Sequence, residues 1–145
     1  MSDRLPKMAI SIRQPWAWAI AHAGKDIENR DWPTRFCGPV CIHAAKGMTR
    51  DEYDNANRHI QSVLGQVGQD WLDRWLGVTA APSRLERGGI VGVADIIGCV
   101  DFSESPWFFG RYGFVLRNAR PVDFIPVRGA LGFFDWRGNI DEASQ

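Results

Sequence analysis

From residue 88 to residue 136 the chain is dominated by three apolar runs rich in β-branched or aromatic residues, GGIVGVADIIGCVDF, YGFVLRNARPV and GALGFFDW, joined by SESPWFFGR and DFIPVRG. Runs of this composition read as strands. Glycines at 92, 98, 113, 129 and 132 interrupt them, and each suits a bulge or bend. Strands broken in this way predict a small, strongly curved sheet.

The first half places helices beside that sheet. MAISIR, residues 8–13, alternates as a strand does, and QPWAWAIAHAG follows with Pro15 in the first turn of a helix and Gly24 just past its end. DIENR continues as a short strand, DWP turns, and CGP leads into the strand VCIHAA. TRDEYDNANRHIQSVL is the clearest helix. Its Thr49 and Glu52 have capping-box spacing, and Tyr53, Ala56, Ile60, Val63 and Leu64 recur at helical intervals. DWLDRWLG then sets Trp71, Leu72, Trp75 and Leu76 on one face, with Gly77 expected to close the helix. The sum is an α+β chain. Its 145 residues suffice for one core, and no repeat or linker divides them, so a single domain over 1–145 is expected. The tail 137–145, RGNIDEASQ, is a candidate for disorder.

Lysine plus arginine equals aspartate plus glutamate at 17 each, which gives no broad electrostatic grip on nucleic acid; any anion site must be local. Three cysteines, an odd number, and the polar opening MSDRLPK point to a reduced, cytoplasmic protein without a signal peptide. No apolar run approaches the roughly 20 residues of a membrane span. Seven tryptophans exceed what a small core needs, which puts some at a surface or in a pocket.

The stretch GKDIENRDWPTR, residues 24–35, gathers three basic and three acidic side chains beside the first helix. Lys25, Glu28 and Arg30 stand at i, i+3 and i+5. In an extended segment Glu28 and Arg30 share a face, with Lys25 at its mouth. Arg30 would lower the lysine pKa, Glu28 would restore it, and burial would lower it further. Such a lysine can serve as base or nucleophile; the competing reading is a solvated ion pair beside a turn. Arg13 and Gln14 end a strand where a helix begins, a place where a guanidinium and backbone N–H groups hold an anion or a carbonyl oxygen. Their plainer reading is a surface salt bridge and a helix cap.

SPWFFGRYG sets Trp107, Phe108, Arg111 and Tyr112 in a glycine-rich loop, a composition for base stacking or for a hydrophobic plug. Arg128, in the VRG turn, is a candidate for the same cleft, and Lys46 for a phosphate contact or a solvated strand end. His43 and Cys41 alternate on one face, with Cys37 four residues before Cys41. Without a paired C-x-x-C, buried thiols and a hydrogen-bonded histidine are expected, and no metal or cofactor is assigned. No Ser–His–Asp order, P-loop or dinucleotide fingerprint is evident.

SIRQPWAWAI followed by AGKDIENRDW resembles the ASCH domain family (activating signal cointegrator 1 homology), part of the PUA-like superfamily of RNA-associated barrels. The family pattern Gly-x-Lys-x-x-Glu-x-Arg falls on AGKDIENR, with Ala23 in place of the first glycine and Lys25, Glu28 and Arg30 in register. The likeness extends to GPVCIHAAKG, GGIVGVADI, SPWFFGRYGFVL and IPVRGALGFFD. It covers most of 8–136 apart from 50–82, which is then a helical insertion. The resemblance implies a PUA-like curved β-barrel with flanking helices, whose lysine loop looks toward a cleft beside the first helix.

Members include a bacterial amidohydrolase that deacylates N4-acetylcytidine, proteins with ribonuclease activity, and a domain of a eukaryotic transcription coactivator. By that resemblance Lys25 is the candidate base or nucleophile and Glu28 its electrostatic partner, at a position where the amidohydrolase branch has threonine. Glu104 or Asp101, placed after the central strand, would protonate the leaving amine. Arg13, Gln14, Trp16 and Arg30 are candidates to line the cleft from the helix side. His43 and Lys46 would come from the following strand, and Trp107, Tyr112 and Arg128 from the later loops. The implied partner is RNA or a modified nucleoside, met by a monomer away from any membrane. A non-catalytic reader, a ribonuclease and a protein-interaction domain are the alternatives.

Overall fold

The computed structural model describes residues 4–79 and 82–140. The alternating segments become six strands: β1 (Met8–Ile12), β2 (Ile27–Arg30), β3 (Gly38–Ala44), β4 (Gly89–Val100), β5 (Tyr112–Pro126) and β6 (Phe133–Asp135). Three helices accompany them: α1 (Trp16–His22), α2 (Arg50–Val67) and α3 (Gln69–Thr79). The strands form one curled sheet in the order β2-β5-β4-β3-β1-β6, in which β1 and β3 run parallel and every other pair antiparallel. This is the α+β class and curved sheet with flanking helices that the sequence predicts.

Curvature comes from slipped pairing along the longest strands. The β4–β5 register shifts between Ile90 and Gly92, Val93 and Asp95, and Ile96 and Gly98, and the β3–β4 register between Ile42 and His43. Each extra residue bends its strand and increases the twist. Gly92 also lets α1 lie close: a Cβ there would stand 2.9 Å from the Arg120 carbonyl oxygen and 3.3 Å from the Ala21 methyl.

The curl brings the two ends of the sheet together. β2 and β1 lie four places apart in the strand order, yet Arg30 Nη2 donates to the Ser11 carbonyl oxygen at 2.5 Å. Nearby, Phe133 of β6 stacks on Phe36 at 4.7 Å between centroids and meets Trp32 edge-on at 5.9 Å. Side chains thus close the half-barrel where no backbone ladder does. Inside lie Ile10, Ile12, Ile20, Val40, Ile42, Ile96 and Phe114, while Ala9, Cys41, Ile90, Val93, Phe134 and Trp136 are buried on the other side. Burial on both faces explains why the central strands read as nearly continuous apolar runs.

α2 starts with the expected capping box: Thr49 Oγ1 accepts the Glu52 N–H, and Glu52 Oε1 accepts the Thr49 N–H, each at 3.1 Å. Its buried Ile60, Val63 and Leu64 pack with Ala19 and Ala23 of the α1 segment, with Trp75 of α3 and with Trp107. Trp75 is fully buried, and its Nε1–H donates to Asn57 Oδ1 at 2.7 Å, which pins α3 to α2. None of the helices among the described residues is long and apolar enough to cross a membrane.

Four boundaries differ from the sequence expectation. α3 runs through Gly77 to Thr79, because a glycine costs a helix only about 1 kcal/mol and the packed Trp75 turn outweighs it. The segment DFIP, expected to separate strands, belongs to β5, whose Ile125 and Pro126 pair with Ile90 and Gly89; the buried start of β4 needs that partner for its backbone groups. GALGFFDW yields only Phe133–Asp135 as strand, since Gly132 turns the chain at φ +67, a left-handed value. Of the tail 137–145, expected as a candidate for disorder, residues 137–139 belong to a 3-10 turn that starts at Trp136, and Ile140 bridges to Val127, while 141–145 lie outside the described residues.

Replacing Trp75 with alanine is expected to cost about 3–5 kcal/mol by emptying the joint between α2 and α3. A urea melt checks this; a loss below about 1 kcal/mol would show that α3 does not depend on that anchor.

Candidate functional site

The lysine loop is placed by the end of α1. Gly24 adopts φ +73, and the Lys25 N–H then caps the helix by donating to the Ala19 carbonyl at 3.1 Å. This turn aims the Lys25 side chain into the protein, where the residue is only 2% exposed. Its ammonium group donates to the Ile27 carbonyl, lies 3.8 Å from Glu28 Oε1, and stands 5.3 Å from the centroid of the Trp16 ring. Glu28, itself 7% exposed, turns its other oxygen to Arg30, with Oε2 3.0 Å from Nε. That contact is an ion pair whose N–H is not aimed along the hydrogen-bond direction. Lys25 is therefore not at the mouth of the loop, as its spacing predicts, but behind it. Burial pushes its pKa below the usual lysine range; Glu28 and Asp26 pull it back up, and Arg30 pushes it down again.

Arg30 faces two ways. It pairs with the buried Glu28 on one side and lines an open cleft of about 870 Å³ on the other, beside Trp32, whose ring centroid is 5.9 Å from Arg30 Cζ. The cleft runs from Ser11 and Arg13, past His43 and Lys46 and Arg87, to Phe124 and the turn holding Arg128. Arg13, Arg30, Lys46, Arg87 and Arg128 all contribute, and among the described residues no aspartate or glutamate does. His43 is held neutral at the cleft floor. Its Nε2–H donates to the Val127 carbonyl at 2.7 Å, so Nδ1 accepts from the Ser11 hydroxyl at 2.9 Å, and burial lowers its pKa. A side chain at Gly129 would meet His43 Cε1 at 2.9 Å, so glycine leaves this floor uncovered.

Arg13, Arg30, His43, Lys46 and Arg128 thus come together, as five of the sequence candidates. The others do not join them. Gln14 is buried, accepting the Trp18 N–H of the first turn of α1 at 2.9 Å and donating to the Glu86 carbonyl at 2.8 Å; this is the helix-capping role. Trp107 is buried in the core against α2, so that part of the aromatic loop is a plug. Tyr112 lines a separate recess with Asp101, and Glu104 is exposed and lines neither that recess nor the cleft. Trp16 lines a second cavity, of about 420 Å³, next to Arg13. Cys41 is buried with its thiol pushed up to about 11, Cys37 is exposed, and no group of three His, Cys, Asp or Glu side chains among the described residues is arranged to hold a metal.

Three lining residues escape the sequence reading: Trp32, Arg87 and Phe124. Trp32 follows the lysine motif by two residues, and Arg87 stands two residues before β4, so proximity to motif and strand was the available signal. Asp26 and Asn29 have a structural task in the same loop. Asp26 Oδ1 accepts from the Ser105 hydroxyl at 2.5 Å, and Asn29 bonds both the Trp107 carbonyl and the Phe109 N–H, at 2.9 and 3.0 Å. They fasten the aromatic loop to β2.

The depressed Lys25 pKa has a consequence for stability. Between the folded-state value and the ordinary one, 10.5, the unfolded chain binds more protons than the folded protein, so folding becomes more favourable as pH rises through that interval. Lys25→Met removes this term. Urea melts from neutral pH to about 10.5 should show wild type gaining on the variant; parallel curves would mean that Lys25 titrates normally.

A family model described as the ASCH domain matches residues 10–119. No curated protein matches the sequence. The matched span runs from β1 through the capped helix and the lysine loop into β5, the elements that hold Lys25, Glu28 and Arg30 against the cleft, and the chain accordingly belongs to the ASCH domain family.

Proposed function

We propose that this protein is a recognition module that binds a nucleotide or a short single-stranded RNA segment in the cationic cleft. The carrying observation is the lining: five cationic side chains and no acid among the described residues, in a chain whose formal net charge is zero. Positive charge concentrated in one concavity draws a phosphate to that place and nowhere else. Trp32 and Phe124 offer ring faces within the same space, and stacking on aromatic faces is how unpaired bases are held. The Ser11 hydroxyl and the turn at 128–132 supply hydrogen-bonding groups for a base edge or a ribose. The superfamily's association with RNA favours the same ligand class.

A second reading, hydrolysis of an N4-acylated cytidine or of an RNA phosphodiester, rests on Lys25. Its lowered pKa and its Glu28 neighbour suit a base, and Trp16 touches both the ammonium group and the 420 Å³ cavity. Against it stand the 2% exposure of Lys25 and the commitment of Glu28 to Arg30.

Fluorescence anisotropy with a labelled single-stranded RNA is expected to show binding that weakens with salt. Lys46→Gln and Arg128→Gln should each lower the slope of log K against log salt by about 0.7, the value for one phosphate contact on a single strand. Absence of binding by wild type at low salt would sink the recognition reading. Incubation with N4-acetylcytidine, followed by chromatography, is expected to leave it intact; cytidine released by wild type and not by Lys25→Met would put the hydrolase in its place.

A further inference from the structure

The cavity that Trp16 lines is not an isolated recess. It lies between α1 and α2, is walled by Trp16, His59 and Phe109, and shares Arg13 with the cationic cleft. A third, smaller hollow of about 290 Å³ shares Phe109 with this cavity and Arg30 and Trp32 with the cleft. The three spaces therefore adjoin one another at named side chains, close enough for a ligand longer than one nucleotide to reach from one to the next.

The second cavity is built differently from the cleft. Its three rings form a mutual cluster, with centroids 5.7 Å apart for Trp16 and His59, 5.7 Å for Trp16 and Phe109, and 5.4 Å for His59 and Phe109. His59 is oriented by its Nε2–H, which donates to the Pro106 carbonyl at 3.1 Å and leaves Nδ1 as an acceptor. Phe109 is 45% exposed, and its backbone is fastened by Asn29. The volume of about 420 Å³ falls in the range of about 300–1,000 Å³ typical of small-molecule sites. Aromatic walls with the Asn55 amide, the Glu52 carboxylate and the Arg13 guanidinium among the lining suit a flat, polar-edged ring system such as a nucleobase.

Arg13 stands between the two spaces. Its present partner is Glu52, 3.3 Å away with both side chains well exposed, and an exposed pair of this kind contributes little. A phosphate can therefore take the guanidinium from Glu52 at small cost, and Arg binds phosphate through two parallel N–H groups. Room for this is kept by Gly47, where a Cβ would lie 2.6 Å from Arg13 Nη1.

We propose, resting on the nucleotide-binding reading above, that the Trp16–His59–Phe109 cavity is a second base site. The ligand is then a single strand of at least two nucleotides, with one base in the cationic cleft, the next in the aromatic cavity, and the joining phosphate on Arg13. The helical segment supplying His59 makes the protein a reader of consecutive bases, not of a free nucleoside.

The test compares a 5′-phosphorylated adenosine mononucleotide with the corresponding dinucleotide by calorimetry, on wild type and on Phe109→Ala. The dinucleotide is expected to bind wild type at least fivefold and up to about 100-fold more tightly, the span of one base stacked on an aromatic ring. Phe109→Ala should reduce that ratio toward one, whereas Lys46→Gln should weaken both ligands and keep it. A dinucleotide made abasic at either position should lose the advantage, which separates stacking from the extra phosphate charge. Equal affinity of the two ligands for wild type, or a ratio unchanged in Phe109→Ala, overturns the second site while leaving the cleft reading in place. Failure of both ligands to bind overturns the cleft reading and the second site with it. Phe109 is exposed, so an unchanged thermal midpoint of its variant verifies that folding is not the cause.

Discussion

The hydrogen bond from Arg30 to the Ser11 carbonyl joins two strands that the sheet order holds four places apart. A six-stranded sheet of this order has two open edges, and it becomes a container only if something bridges them. Here the bridge is made of side chains, Arg30 with Trp32, Phe36 and Phe133 around it. The same guanidinium must neutralise Glu28, whose other oxygen faces the buried ammonium of Lys25. A charge withdrawn from water is tolerable only when paired, so the three residues constrain one another. The helix end at Gly24, the placement of β2 and the closure of the barrel follow from that one chain of contacts.

Closure also defines the polarity of the cleft. Glu28 is held inside, behind Arg30, so its negative charge is spent on Lys25 and Arg30 and does not face the opening. Cations from five separate segments then line the open side without an acid between them. Their field is local, which reconciles a neutral chain with a concentrated cationic lining. The buried lysine and the exposed arginines thus have different tasks: the first organises the loop, and the others meet the solvent.

Much of this was legible in the sequence because it rests on local rules. Thr49 and Glu52 announced the start of α2 by spacing, Gly24 the end of α1 by its freedom at positive φ, and the glycine-broken runs after residue 88 a bent sheet. Arg13, Lys46 and Arg128 were recognisable as cations at strand ends and turns, and Arg30 as a member of the charged lysine loop. What failed did so for a nonlocal reason. Nothing in GKDIENR distinguishes a lysine at the mouth of a loop from one sealed beneath Trp16, and nothing in SPWFFGRYG tells that Trp107 turns into the core while Phe109 turns out. The extension of β5 through Pro126 came from the needs of its neighbour β4, not from its own composition.

The sequence by itself determined the class of the fold, the caps of its main helices and the residue types available for an anion site, since periodicity, turn chemistry and charge are properties of short segments. Only the tertiary structure decided which of those residues share a space. Arg13, Arg30, Lys46, Arg87 and Arg128 lie as far as 115 positions apart along the chain, counted from 13 to 128, and meet because the sheet curls. Burial is likewise collective: Lys25 is desolvated by the helix, the strand and the indole packed around it, and that surrounding is set by long-range contacts that no single stretch of sequence contains.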